Sequence, residues 1–301
     1  RYDRFANRAF IKLGADDAAP WVRMQDEHLI KVQFAIAEKT GDLLSVRDLL
    51  KPYLLHAAYR HDFHPVRDYL ATLAWDGTPR LDAWLTTYGG ADDALYTRAV
   101  GALTLVAAVR RVREPGCKFD EMLVLESPQG TNKSSALRAL CPEDAWFSDD
   151  LPLGADSKVV IEETEGKWIV EAAELVGTRN DDRLKAFLSR QVDGPSRAAY
   201  GYLAREVPRQ FIVIGTTNKH HYLEDSTGHR RFWPVRCRAF DLAALQRDRD
   251  QLWAEAAARE AAGASIRLDP ALYEVAGAEQ AARAVDDPWE ELVAAAVQTA
   301  V

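Results

Sequence analysis

The order of apolar and polar residues predicts three short buried strands in the middle of the chain. The runs are Met122–Leu125, Trp168–Val170 and Phe211–Ile214, each bounded by polar sequence. A polar turn and a helical stretch at Lys133–Leu140 follow the first run, and a second helical stretch near Leu184–Gln191 lies between the other two. Strands that alternate with helices are typical of a parallel sheet with helices packed on it. We therefore predict an α/β fold with a parallel sheet flanked by helices.

The segments before and after this core have a helical pattern. From residue 1 to residue 94 the apolar spacing is helix-like, and Ser45 is placed to cap one of the helices. Residues 242–262 form an alanine-rich helical stretch. We predict three regions, which are a mainly helical N-terminal domain at 1–94, the core at 95–238 and a short helical C-terminal region at 239–301.

Composition excludes several classes of protein. The 301 residues are 48% hydrophobic and 28% charged with a net charge of −8, which suits a globular protein and excludes disorder, collagen and coiled coil. The longest apolar runs are well short of the ~20 residues that span a bilayer, and no apolar signal segment is visible. The three cysteines are far apart, which disfavours a disulfide framework or a zinc site. We expect a protein of the reducing cytoplasm.

The acidic balance is concentrated in the C-terminal region. Residues 240–301 hold twelve acidic side chains and five arginines, whereas the rest of the chain is close to neutral. Residues 179–209 and 229–238 are locally basic. Such segments can contact phosphates inside a groove of an acidic protein, although each residue could equally belong to a solvated helix face.

A candidate phosphate-binding loop follows the first predicted strand. Residues 127–134 read Ser-Pro-Gln-Gly-Thr-Asn-Lys-Ser, which matches the lysine and hydroxyl positions of the P-loop template but lacks two of its glycines. In such a loop Lys133 reaches the β and γ phosphates, and the hydroxyl of Ser134 binds Mg²⁺ at a helix N-terminus. Asn132 replaces a glycine, and asparagine tolerates positive φ well, so the loop can still close. A plain turn that caps a helix is the alternative.

Polar residues end the other two predicted strands. Glu171 and Glu174 follow the second apolar run, and an isolated buried glutamate is costly unless it is paired or bound to a metal. Asn218 comes just after the third strand, where it could orient an attacking water. The alternatives are that only one glutamate is buried while the other starts a helix, and that Asn218 belongs to a turn or cap.

A series of short motifs runs in order from His64 to Arg238. They are HPVRDYL at 64–70, WDG at 75–77, PGCKFD at 115–120, the loop at 128–134, the strand and acids at 168–174, TTN at 216–218 and GHRRFWPV at 228–235. As a set, these motifs resemble the virulence-associated protein E family, whose ATPase core is similar to the superfamily 3 helicases of viruses and mobile elements. The resemblance implies an AAA+-like P-loop ATPase used in replication of a phage, plasmid or genomic island.

The resemblance implies a role for each site residue, with ATP and Mg²⁺ as cofactors. Lys133 and Ser134 correspond to the Walker A pair, and the nucleotide-binding residues are Gly130, Thr131, Asn132, Lys133, Ser134 and Ser135. Glu171 and Glu174 correspond to the Walker B acids, with Glu174 preferred as the catalytic one and Glu171 placed with Ser134 at Mg²⁺. Asn218 corresponds to sensor 1. Arg230 or Arg231 corresponds to an arginine finger that enters a neighbouring subunit's site.

The resemblance also implies contact with single-stranded DNA. Lys185, Asp193 and Arg197 follow the spacing of the segment that touches DNA in viral relatives. Tyr200 stands near Arg197 and Arg205, a mixture that suits base stacking along a charged backbone, although the tyrosine could equally be a core residue. A homohexameric ring and a primase domain or partner upstream are further expectations from the family.

The resulting hypothesis is an ATP-dependent DNA helicase or translocase. Because two glycines of the loop template are replaced, one alternative is a nucleotide-binding switch or assembly ATPase without unwinding activity, in a regulatory or host-defence role. A second alternative is a structural DNA-binding protein with a degenerate nucleotide site.

Overall fold

A computed structural model describes residues 1–13, 19–173, 178–196, 205–223 and 229–285 of the chain. The chain divides into two compact units, Arg1–Thr72 and Leu73–Val301. Among the described residues, no helix has the length and the apolar character that a bilayer crossing requires.

The first unit combines helices with a small sheet. Its strands are β1 (Tyr2–Asp3), β2 (Arg8–Ile11), β3 (Val22–Arg23) and β4 (Asp62–Phe63), in the order β3–β2–β1–β4. Its helices are α1 (Asp26–Thr40), a π-helical turn at Val46–Leu50, α2 (Lys51–Tyr59) and α3 (Pro65–Thr72). Ser45 caps the π-helical turn by accepting the N–H of Asp48 at 3.2 Å. The sequence predicts a mainly helical domain here and does not predict this sheet, because strands of two to four residues leave no alternating pattern.

The second unit is built on a parallel sheet. Its strands, within the described residues, are β5 (Met122–Glu126), β6 (Phe147–Ser148), β7 (Ile169–Ala173), β8 (Val192–Ser196), β9 (Arg205–Pro208), β10 (Ile212–Thr217) and β11 (Phe232–Arg236). Five of them form a sheet in the order β11–β5–β10–β7–β6, and every neighbouring pair is parallel. The other two, β8 and β9, form a separate antiparallel pair. The three predicted strands correspond to β5, β7 and β10.

Helices cover both faces of this sheet. Within the described residues, the α-helices of this unit are α4 (Trp84–Gly89), α5 (Leu95–Arg113), α6 (Lys133–Leu140), α7 (Ser157–Thr164), α8 (Thr178–Ser189), α9 (Leu242–Ala261) and α10 (Tyr273–Ala281). On one face, α7 and α8 contribute Val160, Leu184 and Phe187 to an apolar cluster with Val124 and Val213 of the sheet. Every residue of β5 and β10 is buried, as expected for parallel strands covered on both sides.

A tryptophan stack joins the helices of the other face. Trp168 lies just before β7 and stacks on Trp253 of α9 with ring centroids 4.1 Å apart. The indole N–H of Trp168 donates to the carbonyl of Ala108 in α5 at 2.9 Å, and that of Trp253 donates to the carbonyl of Leu140 in α6 at 2.7 Å. Both buried indoles therefore have acceptors, and α5, α6 and α9 are fixed against the sheet. The predicted α/β fold with helices flanking a parallel sheet is confirmed.

Candidate functional site

The loop at residues 127–132 joins β5 to α6 at the carboxyl end of the central strands. Asn132, the residue before α6, has φ 66° and ψ 27°, which is the left-handed conformation that the template assigns to glycine. Gly130 also has a positive φ of 80°. The first N–H groups of an α-helix have no acceptor inside the helix, so those of α6 are available as donors to an anion at the loop. The asparagine therefore permits the same turn as the glycine it replaces.

The loop is closed by its own side chains. The ammonium of Lys133 donates to the carbonyl oxygens of Ser127 at 2.7 Å and Pro128 at 3.1 Å. The hydroxyls of Ser127 and Thr131 lie 2.5 Å apart, and that of Thr131 also donates to the Pro128 carbonyl at 2.8 Å. Burial lowers the pKa of Lys133 below its usual value, whereas the nearby carboxylate of Glu171 acts in the opposite direction. Ser127 stands where the template has its other glycine, and its hydroxyl and carbonyl both take part in the hydrogen bonds that close the loop.

Glu171 connects the loop to the second central strand. It lies in β7 and is 1% exposed. Its Oε1 accepts the hydroxyl of Ser134 at 2.7 Å and the hydroxyl of Thr216 in β10 at 2.5 Å. Its Oε2 is buried and has no hydrogen-bond partner among the described residues. A carboxylate oxygen in this position, beside a serine hydroxyl, suits a divalent cation with oxygen ligands.

The loop and the strand ends enclose a cavity of about 360 Å³, which we call the loop pocket. Its lining includes Gly130, Thr131, Asn132, Lys133, Ser134, Ser135, Glu171, Thr216 and Asn218. The structure therefore brings together the nucleotide-binding residues predicted for the loop, one of the two predicted strand acids and the predicted Asn218. Glu174, the preferred catalytic acid, lies outside the described residues. In the described part of the chain, no group of three or more His, Cys, Asp or Glu side chains could hold a metal without other ligands.

Arg230 and Arg231 lie at the opposite end of the sheet. They immediately precede β11, whose first residue, Phe232, pairs with Met122 at the start of β5, whereas the loop follows the other end of β5. Both arginines line a separate cavity of about 510 Å³. Arg230 is exposed, and the Nε of Arg231 lies 3.3 Å from a carboxylate oxygen of Asp120. Neither arginine belongs to the described lining of the loop pocket in its own chain.

The predicted DNA-contacting residues occupy different surroundings. Lys185 of α8 is buried, with 8% exposed, although a lysine that touches DNA is expected to be accessible. Arg197 and Tyr200 lie outside the described residues. Arg205 begins β9, the strand that pairs with β8.

Asp193, whose spacing follows the DNA-contacting segment of viral relatives, has a different partner. It forms a bidentate ion pair with Arg209, with both N–O distances 2.6 Å, and both side chains are buried. The guanidinium of Arg209 also lies 4.1 Å above the ring of Phe187. Asp193 is therefore a structural residue that holds the β8–β9 pair to the end of α8.

Sequence reasoning assigned no role to two residues that support the loop pocket, Thr216 and Phe240. Thr216 donates to Glu171 because the register of β10 places it beside Ala173 of β7. Phe240 donates its backbone N–H to the carbonyl of Thr131 at 3.0 Å and so fixes the loop from the chain that follows β11. Both contacts depend on which strands are neighbours, and no local pattern carries that information.

The fold and the loop pocket define a P-loop nucleotide-binding core. The family model of the virulence-associated protein E-like domain matches residues 70–285, well over half of the chain. The chain therefore belongs to that family. No curated protein matches the chain significantly.

Two solved structures with a TM-score of 0.50 or more show the same fold at low sequence identity. The apo structure of the NrS-1 C-terminal region is 12% identical with a TM-score of 0.54, covering 98% of this chain and 73% of that one. Its A form apo structure is 13% identical with a TM-score of 0.50, covering 98% and 73%. The X-ray structure of JCV helicase is 13% identical with a TM-score of 0.28, covering 85% and 67%.

Proposed function

We propose that the protein is a Mg²⁺-dependent ATPase that drives movement along single-stranded DNA, in the replication of a phage, plasmid or genomic island. The observation that carries the ATPase part is the Ser134–Glu171 hydrogen bond in a pocket that also holds Lys133. In P-loop enzymes, Mg²⁺ is held by a serine or threonine hydroxyl of the phosphate loop and by a carboxylate from elsewhere in the fold. Ser134 and Glu171 supply these two groups here. The left-handed Asn132 supports a loop that still accepts phosphates.

The residues of the loop pocket divide the work. Lys133 leaves the carbonyls of Ser127 and Pro128 and pairs with the β and γ phosphates, because a phosphate is a stronger partner for an ammonium than a carbonyl is. Ser134 and Glu171 would hold Mg²⁺, which neutralises charge on the phosphates. Asn218 orients the attacking water, and Glu174 accepts its proton.

A neighbouring subunit completes the site in this proposal. Arg230 is exposed at the end of the sheet far from its own loop, so it serves a loop pocket in another copy of the chain. A guanidinium there stabilises the charge that develops on the γ phosphate. The assembly is a homo-oligomeric ring, with six subunits as the family resemblance implies.

The DNA path is proposed for the segment between β8 and β9. It carries Arg197 and Tyr200, and Arg205 begins the second strand. Arginine and aromatic side chains together suit a single strand, because the cation follows the phosphates while bases stack on the ring.

The experiment that tests this proposal is ATP hydrolysis by the purified chain with Mg²⁺, in the presence and absence of single-stranded DNA. We expect turnover that DNA increases and that Lys133→Ala abolishes. Lys158→Ala, which removes an exposed lysine on α7, is the matched control and keeps full turnover. Unchanged turnover in Lys133→Ala would overturn the ATPase assignment. Binding of ATP without turnover would instead identify a nucleotide-binding switch, and turnover indifferent to DNA would remove the motor function.

A further inference from the structure

A buried ion pair lies directly beneath the loop. Glu126 is the last residue of β5 and precedes Ser127, whose carbonyl accepts the ammonium of Lys133. The Glu126 side chain is 3% exposed, and its two oxygens accept the Nε and Nη2 atoms of Arg283, each at 2.8 Å. The hydroxyl of Tyr222 donates to the same carboxylate at 2.7 Å. A buried carboxylate is tolerated because its charge is paired and its lone pairs are filled.

Arg283 belongs to the C-terminal region, just after α10. Glu279 orients the guanidinium of Arg283, because its carboxylate and its backbone carbonyl both accept from Nη1. The helix is tied to the sheet, since the side-chain amide of Gln280 donates to the carbonyl of Phe232 at 2.9 Å. The backbone at Arg283 is therefore held against the sheet, and its side chain reaches Glu126 from that position.

The backbone around Arg283 also holds the segment that follows Asn218. The carbonyl of Arg283 accepts the N–H groups of Tyr222 and Leu223, both at 3.1 Å. Val285 donates to the carbonyl of Leu223 at 2.9 Å, and a ring nitrogen of His221 lies 3.0 Å from the carbonyl of Ala284. Asn218, three residues before His221, lines the loop pocket. One arginine and its neighbours thus join the strand that enters the loop to the chain that leaves Asn218.

We propose that Arg283 is a positioning residue for nucleotide hydrolysis. The ladder of β5 and β10 already pairs Glu126 with Thr217, and Arg283 holds the chain that follows Asn218 in place through Glu126 and Tyr222. The proposal rests on the ATPase function proposed above. Arg283 is not in the described lining of the loop pocket, so it acts through these two residues and not on the substrate. The phosphate-binding part of the loop is fixed independently, by Ser134 on Glu171 and by Phe240 on Thr131. Loss of Arg283 should therefore disturb the orientation of the attacking water more than nucleotide binding.

The test compares Arg283→Ala and Arg283→Lys with the wild type in steady-state ATP hydrolysis and in titration with a fluorescent ATP analogue. We expect kcat to fall about tenfold to a hundredfold, as small misplacements of reacting groups cost, while the dissociation constant of the analogue changes less than about threefold. Arg283→Lys keeps the charge but loses the bidentate geometry, so it should fold and still lose kcat. Arg98→Ala removes an arginine from an exposed ion pair and is the matched control.

The outcomes separate this inference from the proposed function. A wild-type chain without turnover would refute the ATPase function itself. Normal wild-type turnover with an unchanged kcat in a folded Arg283→Ala chain would refute only the positioning role. If Arg283→Ala does not fold, an unchanged kcat in Arg283→Lys would refute that role instead. A fall in thermal stability with kcat unchanged at a temperature well below the transition would likewise overturn the inference. Glu126→Gln should lower kcat to a similar extent, and the double variant with Arg283→Ala should fall no further, since both changes break one connection.

Discussion

The guanidinium of Arg231 lies 3.3 Å from the carboxylate of Asp120, so two motifs that are far apart in sequence meet at the amino end of the central strands. Asp120 precedes β5, and Arg231 precedes β11, the neighbouring strand. The carboxylate is buried and the arginine is mostly so. An arginine that pairs with a buried acid of its own chain is poorly placed to reach another subunit, so the proposed role between subunits is assigned to its exposed neighbour, Arg230.

The first prediction concerns these two arginines. Arg230→Ala should lower ATP hydrolysis by roughly a thousandfold, the smaller end of the range measured for arginine fingers. Arg231→Ala should instead lower the melting temperature, because it leaves Asp120 buried without its cation. The measurement is steady-state hydrolysis of each variant, together with its thermal unfolding.

A mixing experiment tests whether Arg230 acts between subunits. Arg230→Ala chains have an intact loop, and Lys133→Ala chains have an intact arginine. Mixed before assembly, the two inactive variants should recover measurable turnover, because some interfaces then contain one intact loop and one intact arginine. A mixture as inactive as its components would contradict action in trans.

The second prediction concerns the left-handed residue of the loop. Asn132→Gly should keep ATP binding and hydrolysis, because glycine adopts the observed φ of 66° without strain. Asn132→Val should lose about 1–2 kcal/mol of stability, the cost of the left-handed conformation for such a residue, and should bind ATP more weakly. Chemical denaturation and nucleotide titration of the two variants are the measurements. Equal ATP affinity in the glycine and valine variants would show that the loop does not need this conformation.

The third prediction concerns the hydroxyl that supports Glu171. Thr216→Val removes one of the two hydrogen bonds to Oε1, and we expect it to raise the Mg²⁺ concentration needed for half-maximal turnover several-fold. Thr164→Val is the control, since it deletes another buried threonine hydroxyl, bonded to the carbonyl of Val160 in α7. Both variants should lose stability, but only Thr216→Val should change the Mg²⁺ dependence. The same shift in both would mean that the effect is a general loss of stability.

The sequence is informative about the loop pocket because its chemistry lies at strand ends. Lys133 and Asn218 come after the buried strands β5 and β10, and Glu171 directly follows the apolar start of β7. Parallel strands bring their carboxyl ends to one edge of a sheet, so position along the chain is enough to predict proximity. Local rules fail where register decides. Thr216 meets Glu171 only through the pairing of β10 with β7.

Contacts between distant segments are also invisible to local patterns. Glu126 and Arg283 are 157 residues apart, and neither stands in a motif that predicts the other. Lys185 is an example of the opposite kind, since its spacing indicates a DNA contact but the spacing does not say which side of α8 is buried. The face of a helix that meets the sheet is fixed by packing, which is a property of the whole fold.

The last prediction concerns the proposed DNA path. Replacing Arg197 and Arg205 together by alanine should weaken single-strand binding and make the plot of log affinity against log salt shallower by about 1.4, since each lost phosphate contact removes about 0.7 for a single strand. Binding is measured by fluorescence anisotropy of a labelled oligothymidine over a range of salt concentrations. Replacing Arg247 and Arg249 of α9 by alanine changes the net charge equally and is the control. If both double variants give the same slope as the wild type, the β8–β9 segment does not carry the DNA; if both are equally shallow, the effect is one of overall charge.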